Sequence, residues 1–417
     1  MFSLLALACT SNLTIGSTPD GKNPFDKPDD DSVEQAPGDT ASDTAADSGD
    51  PVESEFFDDS FIHEIEITLS PDAKTALRRE PYEFTEGSIT VDGAFFDRVG
   101  VRLRGKIGSF RTLTGKPKFK IDFNLYESEQ RLGVYKALAL NNEVVDCSYL
   151  REPAGYEVLR QIGVPVPRTV FTHVTVNGDD YGMYVGLEYP DDVFLASRYS
   201  DPSGNLYDGK YVYYDNGSYQ LIDFTPELVE YFSLEEGTDV ANADVEAIAD
   251  NVNGAGAFEY KFADLVDIET FHRHLAGEQW IGHIDGYALN TNNYRVYFDP
   301  TDGRADLLAY DLDYAFLSAG GWGMSWGAPR GILVQNCWSD AACVAAQQGA
   351  VLAALGAVDT AAILDKIDTW RDLTADAIAD DPRRECNSNQ VASEQANVRA
   401  WIASAPNDMA TYWSVDR

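Results

Sequence analysis

From about residue 60 the chain alternates apolar and polar positions, the period of a half-buried strand. IHEIEITLS shows it first, and GSITVDGAFFDRVGVRLRG reads as two strands joined through Asp92-Gly93, a pair suited to a tight hairpin. KPKFKIDFNL alternates again, with Phe119, Ile121 and Phe123 on one face and Lys118, Lys120 and Asp122 on the other. Between these strands GKIGSFRTLTGK reads as a loop carrying Gly105, Gly108, Gly115 and several hydroxyls. DCSYLREPAGYEVLRQIG has a helical apolar stripe, with Asp146 and Ser148 placed to cap its start and Gly163 to close it. RTVFTHVTVNG and YGMYVGLEYP read as strands that turn at Asn177-Gly178.

Residues 190–262 are acidic and tyrosine-rich without a clear period, which predicts a loop-rich insertion. Within it DPSGNLYDG reads as a turn, because it lacks the glycine and closing glutamate of a calcium loop. A helix over DIETFHRHLAGEQWIGHIDGY follows, then a strand RVYFD, a turn PTDGRA and a strand DLLAYDLDYAF. The remainder, from VAAQQGAVLAALGAVD to QANVRAWIA, is mainly helical. A β-rich half with one helix followed by a mainly helical half predicts an α+β protein of two lobes, about 59–190 and 191–417.

The 417-residue chain is 44% hydrophobic, enough for a large core. Its 69 acidic and 31 basic residues give a net charge of −38, which repels a phosphate backbone and argues against nucleic acid as a partner. The first residues, MFSLLALAC, end in a box that resembles a bacterial lipoprotein cleavage site, so residues 1–9 are expected to be a signal with Cys9 acylated. Residues 10–58 are dominated by Asp, Ser, Thr, Pro, Gly and Ala and are expected to be a disordered acidic linker. Together these predict an extracytoplasmic protein that meets the membrane only through its lipid. Cys147, Cys337, Cys343 and Cys386 then suggest up to two disulfides, with Cys337 and Cys343 close enough to pair and Cys147 left for Cys386. The sequence holds no CxxC and no His/Cys cluster, which argues against zinc; His272, His274 and His283 receive no role.

The chemistry concentrates in HIDGYALNTNNYRVY. Asparagines are poor helix formers and costly to bury, yet Asn290, Asn292 and Asn293 follow Asp285 closely. A hairpin then returns Asp311 and Asp313 to the same place. Hard oxygens converging on one hairpin suit Mg²⁺ bound to phosphate. Protein kinases space an aspartate and an asparagine five residues apart, with a metal-binding aspartate after a short hairpin; Asp285, Asn290 and Asp311 or Asp313 keep that spacing. Upstream, RLRGKIGS can approach phosphates through backbone N–H groups, and Lys118 or Lys120 can follow. Glu152 or Glu157 is placed to pair with that lysine, and GLEYP to join the lobes.

In that order RLRG, KPKFKIDF, the D-x-S-x-L-R run at Asp146–Arg151, NGDDYGMYVGLE, DGYALNTNNYRVY and YDLDYAF resemble the spore-coat-protein-H (CotH) kinase family over about residues 60–320. The resemblance implies an atypical protein-kinase-like fold that binds ATP and Mg²⁺ between its lobes and phosphorylates Ser or Thr of a protein substrate, such as a cell-surface or coat protein. It implies Asp285 as catalytic aspartate, Asn290 or Asn293 and Asp311 or Asp313 as metal ligands, and Arg104 with Lys118 or Lys120 at the phosphates. Glu188 falls in its hinge pattern. The rival expectation is a non-catalytic surface binding or assembly module on the same fold; a carbohydrate-modifying enzyme has no spacing of its own here.

Overall fold

The structure, a computed structural model, describes residues 55–209, 211–213 and 218–416. The expected signal, Cys9 and the linker as far as residue 54 lie outside the described residues. Regular structure is present before residue 59, inside the span expected as linker: Glu55–Phe57 forms a 3₁₀ turn, and Phe56 is buried against the ring of His63.

The first half contains β1 (Ile62–Thr68), α1 (Pro71–Arg79), β2 (Thr85–Val91), β3 (Ala94–Arg104), β4 (Lys118–Asp122), β5 (Ala137–Asn141), α2 (Arg151–Ile162), β6 (Thr169–Val176) and β7 (Asp179–Glu188). The seven strands close into a barrel in the order β1-β2-β3-β4-β5-β7-β6, completed by parallel pairing of β1 with β6. Both expected hairpins form where both turn residues take positive φ, at Asp92 (49°) with Gly93 (84°) and at Asn177 (53°) with Gly178 (80°). Ile65, Val101, Phe119 and Ile121 fill the barrel. The other face of β4 is not solvated either: Lys118 and Lys120 are buried.

Two elements escaped the pattern. α1 is only nine residues long, with Ser70 accepting from Ala73 N as its cap, and β5 is a five-residue strand of four apolar residues and Asn141, buried throughout without alternation. The expectation of a single helix in this half is therefore corrected to two.

The second half carries α3 (Asp192–Ala196), β8 (Asn205–Asp208), β9 (Val212–Tyr213), β10 (Tyr219–Gln220), β11 (Ser233–Glu236), α4 (Ala243–Ala249), α5 (Phe258–Phe262), α6 (Ile268–Trp280), α7 (Tyr287–Asn290), β12 (Tyr294–Asp299) and β13 (Arg304–Ala309). It ends with α8 (Ile332–Trp338), α9 (Ala341–Ala357), α10 (Thr360–Asp380) and α11 (Ser388–Trp413). β11-β8-β12-β13 form an antiparallel sheet, so residues 205–208 are strand rather than the expected turn. Their side chains answer those of β12, a partner the local sequence cannot reveal. One apolar cluster runs from Phe171 and Val185 on the barrel through Tyr156 and Leu159 of α2 to Trp280 of α6 and Ile367 and Ile402 of α10 and α11. The chain is thus α+β, with helices covering one side of the barrel.

The disulfides join Cys337 to Cys343 and Cys147 to Cys386, the expected pairs; the second links residues 239 apart in sequence. The fold does gather a His/Cys cluster, because His272 Nε2 lies 3.7 Å from Cys343 Sγ. Its sulfurs are bonded to each other rather than available as thiolates.

Candidate active site

α6 runs into a turn that exposes Asp285 to the cleft while leaving it only 7% accessible. The asparagines answer this burial. Asn290 Nδ2 donates to Asp285 Oδ1 at 2.6 Å, and Asn292 and Asn293 donate to Oδ2 at 3.1 Å each. Thr291 (φ 46°) and Asn293 (φ 49°) adopt left-handed backbone to close this cage, a conformation asparagine tolerates better than most residues. Burial pushes the Asp285 carboxyl up to about 6 against the pull of these amides, with the nearby Asp311 charge adding to the rise.

The β12–β13 hairpin brings the DLD run alongside. Asn293 Nδ2 also donates to the Asp311 carbonyl at 3.1 Å, and Asp311 itself is left-handed (φ 50°), a strain of the kind concentrated at functional sites. Lys118 reaches across from β4 of the barrel. Its Nζ lies 3.3 Å from Asp311 Oδ1 and 3.2 Å from Asp313 Oδ2. Arg104, at the end of β3, donates to Tyr310 Oη at 2.5 Å and Asn141 Oδ1 at 3.3 Å. Behind them Asn141 Nδ2 donates to Glu152 Oε2 at 2.7 Å, whereas Glu152 Oε1 and Glu143 Oε2 are buried with no hydrogen-bond partner among the described residues.

Negative charge outweighs positive here. Burial, reinforced by Asp311, raises Glu152 to about 8 and Asp313 to about 7, and burial beside Glu152 raises Glu143 as well. Burial would raise Asp311 too, but Lys118 and Arg104 outweigh it and hold that carboxyl below the usual range. Orphaned carboxylate oxygens and acids kept reluctant to ionise are what a hard divalent cation relieves.

Several expected residues are placed elsewhere. Asn290 spends its amide on Asp285 and its Oδ1 on Arg330 Nη1 at 2.8 Å, so it is a strut rather than an open ligand. Glu157 lies five residues past Glu152, about 140° around the helix, and binds Arg160, Gln161 and Lys366. Glu188 is held by Arg168 and Arg198, clear of the cleft lining. Lys120 turns from the carboxylates to lie 3.8 Å over the Tyr189 ring. Of the paired alternatives, the structure therefore brings Lys118 and Glu152 to the cluster.

The cleft encloses about 130 Å³ and includes residues that motif spacing did not single out: Arg102, Lys106, Tyr189, Arg295 and Tyr310. Arg295 is buried between Tyr310 and Tyr189, 4.8 and 5.4 Å from their ring centres. Its place among Tyr294, Val296, Tyr297 and Phe298 in β12, the one cation in an aromatic and apolar run, is the available signal.

The CotH kinase protein family model matches residues 101–406. Inner spore coat protein H of Bacillus subtilis is 25% identical over 187 residues, 43% of this chain and 49% of that protein; the match thus spans about half the length of the curated relative. The crystal structure of the Helicobacter pylori proinflammatory kinase CtkA aligns with a TM-score of 0.32 at 9% identity, over 75% of this chain and 96% of that one. With the family model covering most of its length, the chain belongs to the CotH kinase protein family.

Proposed function

We propose that this chain is an exported atypical kinase that transfers the γ-phosphate of ATP, with Mg²⁺, to Ser or Thr of a protein substrate. The observation that carries the reading is Lys118 bridging Asp311 and Asp313 opposite the amide-caged Asp285, with the orphaned oxygens of Glu143 and Glu152 behind. The barrel and the helical half would act as the two lobes, joined after β7. ATP supplies the phosphoryl group, and a divalent cation neutralises its charge. Asp311 and Asp313 would hold the cation, with Glu152 in support and Asn293 at the margin. Lys118 and Arg104 would oppose the phosphate charge. Asp285 would orient the acceptor hydroxyl and take its proton, a role that needs the ionised form and hence a pH above about 6. Catalysis would rest on positioning and electrostatics.

Calorimetry of Mg-ATP binding tests this. Asp311→Ala with Asp313→Ala should weaken Mg²⁺-dependent nucleotide affinity by at least about tenfold. Because Glu152 and Asp313 hold protons up to about 8 and 7, wild-type cation binding should strengthen as pH rises from 6 to 8 and release protons on the way. Folded wild-type protein that binds no nucleotide with Mg²⁺ or Mn²⁺ would leave the non-catalytic surface module standing.

Export is supported by the LALAC box, the acidic linker and the two disulfides, and the Bacillus relative is named for a spore coat. A protein substrate at the cell surface or in a coat fits that location, and the net charge of −38 disfavours nucleic acid. Protein recovered from its own cells should carry lipid on Cys9 and no thiol at Cys147, Cys337, Cys343 or Cys386. A lipid-free intact mass with all four thiols alkylated under denaturing, non-reducing conditions would sink export.

A further inference from the structure

We infer that Glu278, on the last turn of α6, is the positioning residue that holds Asp285 in register for phosphoryl transfer. The inference rests on the kinase reading for what is positioned, and on geometry for how. Glu278 fastens both ends of the turn that carries Asp285. Its carbonyl accepts from His283 N at 2.9 Å, while its carboxylate accepts from Tyr287 N at 2.7 Å and Ala288 N at 2.9 Å. Gly286 is pressed against it: a Cβ there would lie 2.3 Å from Glu278 Oε1 and 2.5 Å from His283 Cδ2. The carboxylate is fully buried, and His274 Nε2 lies 3.2 Å from its Oε1. Burial opposes its charge, yet His274 and the backbone amides keep its pKa below the usual range.

A buried charge is an expensive way to start a helix of four residues. An uncharged cap would serve stability as well. Glu278 therefore fits a demand on the placement of the loop, since Asp285 sits between its anchor points and the asparagine cage receives it from the other side. Glu278 is absent from the cleft lining, so it acts through Asp285 and not on the nucleotide.

Glu278→Gln keeps the length but can accept only one of the two amide hydrogens, its NH₂ facing the other donor. The turn from His283 to Ala288 then loosens, so amide hydrogen exchange at Tyr287 and Ala288 should quicken by about tenfold. In the same protein kcat should drop by about 10²-fold, with the affinity for Mg-ATP changed less than about twofold. His274→Gln leaves the carboxylate and its two backbone bonds in place without the imidazole, and should change both readouts in the same direction by less. A folded Glu278→Gln protein with unchanged exchange at these amides and unchanged kcat overturns the inference; if that variant does not fold, unchanged exchange in His274→Gln does so. Wild-type protein inert toward every acceptor refutes the kinase reading alone, because the exchange still judges Glu278.

Discussion

Asp285→Asn should lower phosphoryl transfer by about 10²–10⁴-fold, the range for losing an acid–base group, while Mg-nucleotide affinity is retained. The substitution preserves shape, and the side-chain oxygen can still accept from one side of the cage, toward Asn292 and Asn293 or toward Asn290. It removes the proton acceptor and leaves Lys118, Arg104, Asp311 and Asp313 in place. In wild type the acid limb of kcat/KM should fall near pH 6, and the variant's residual rate should lack it. Stability carries a second signature. The folded pKa of about 6 exceeds the ordinary aspartate value of 3.8, so between those values the native state binds more protons than the unfolded chain. Ionised Asp285 therefore destabilises the fold at pH 7, and its contribution improves as pH falls from above 6 to about 4. The variant should show no loss of stability at pH 8. Steady-state phosphorylation across pH, beside calorimetric nucleotide titration, decides the matter. A variant that keeps half the wild-type rate would assign Asp285 to the scaffold.

Local patterns made much of this site legible, and non-local pairing accounts for most of what they missed. Asp285, Asp311 and Asp313 stood out because carboxylates and amides in an otherwise apolar hairpin must be compensated by something. The lysine on β4 that compensates them was readable only as a pair of alternatives. Lys118 and Lys120 have the same side-chain parity, and the 193-residue separation between Lys118 and Asp311 leaves no trace in either segment. Spacing alone points the asparagines at metal and phosphate. Their amide hydrogens instead face Asp285, because an aspartate at 7% exposure takes the nearest donors available. Glu188 shows the opposite error: its position in a hinge-like pattern suggested chemistry, but two arginines claim it. Barrel closure was invisible for a related reason, since β1 and β6 pair in parallel across a hundred residues of intervening chain.

The largest loss of stability should follow from a pair with no motif around it. Lys116 Nζ and Asp381 Oδ2 lie 2.6 Å apart, with side chains 1% and 0% exposed. The same carboxylate accepts from Met183 N at 3.1 Å, Tyr149 Oη at 3.2 Å and, through Oδ1, Arg383 N at 2.8 Å. It sits so close to β7 that a Cβ on Gly182 (φ 82°) would lie 1.9 Å from it. Arg383 Nη1 donates to Gly115 O, Glu385 pairs with Arg111, and Cys386 bonds Cys147. The segment after α10 thus clamps the loop between β3 and β4, two residues before Lys118 enters the cleft. Asp381→Asn keeps the shape but strands a buried ammonium, and breaking a buried pair from one side costs about 3–5 kcal/mol. Lys116 offers an escape. Burial already holds its pKa below the usual value despite Asp381, and losing Asp381 lowers it further. A depressed folded pKa means the unfolded chain binds more protons, so the variant's stability rises with pH. The deficit measured by chemical denaturation should therefore be largest near pH 7 and shrink toward pH 10. A loss below about 1 kcal/mol at pH 7 would mean that the clamp rests on the disulfide and the arginines rather than on this pair.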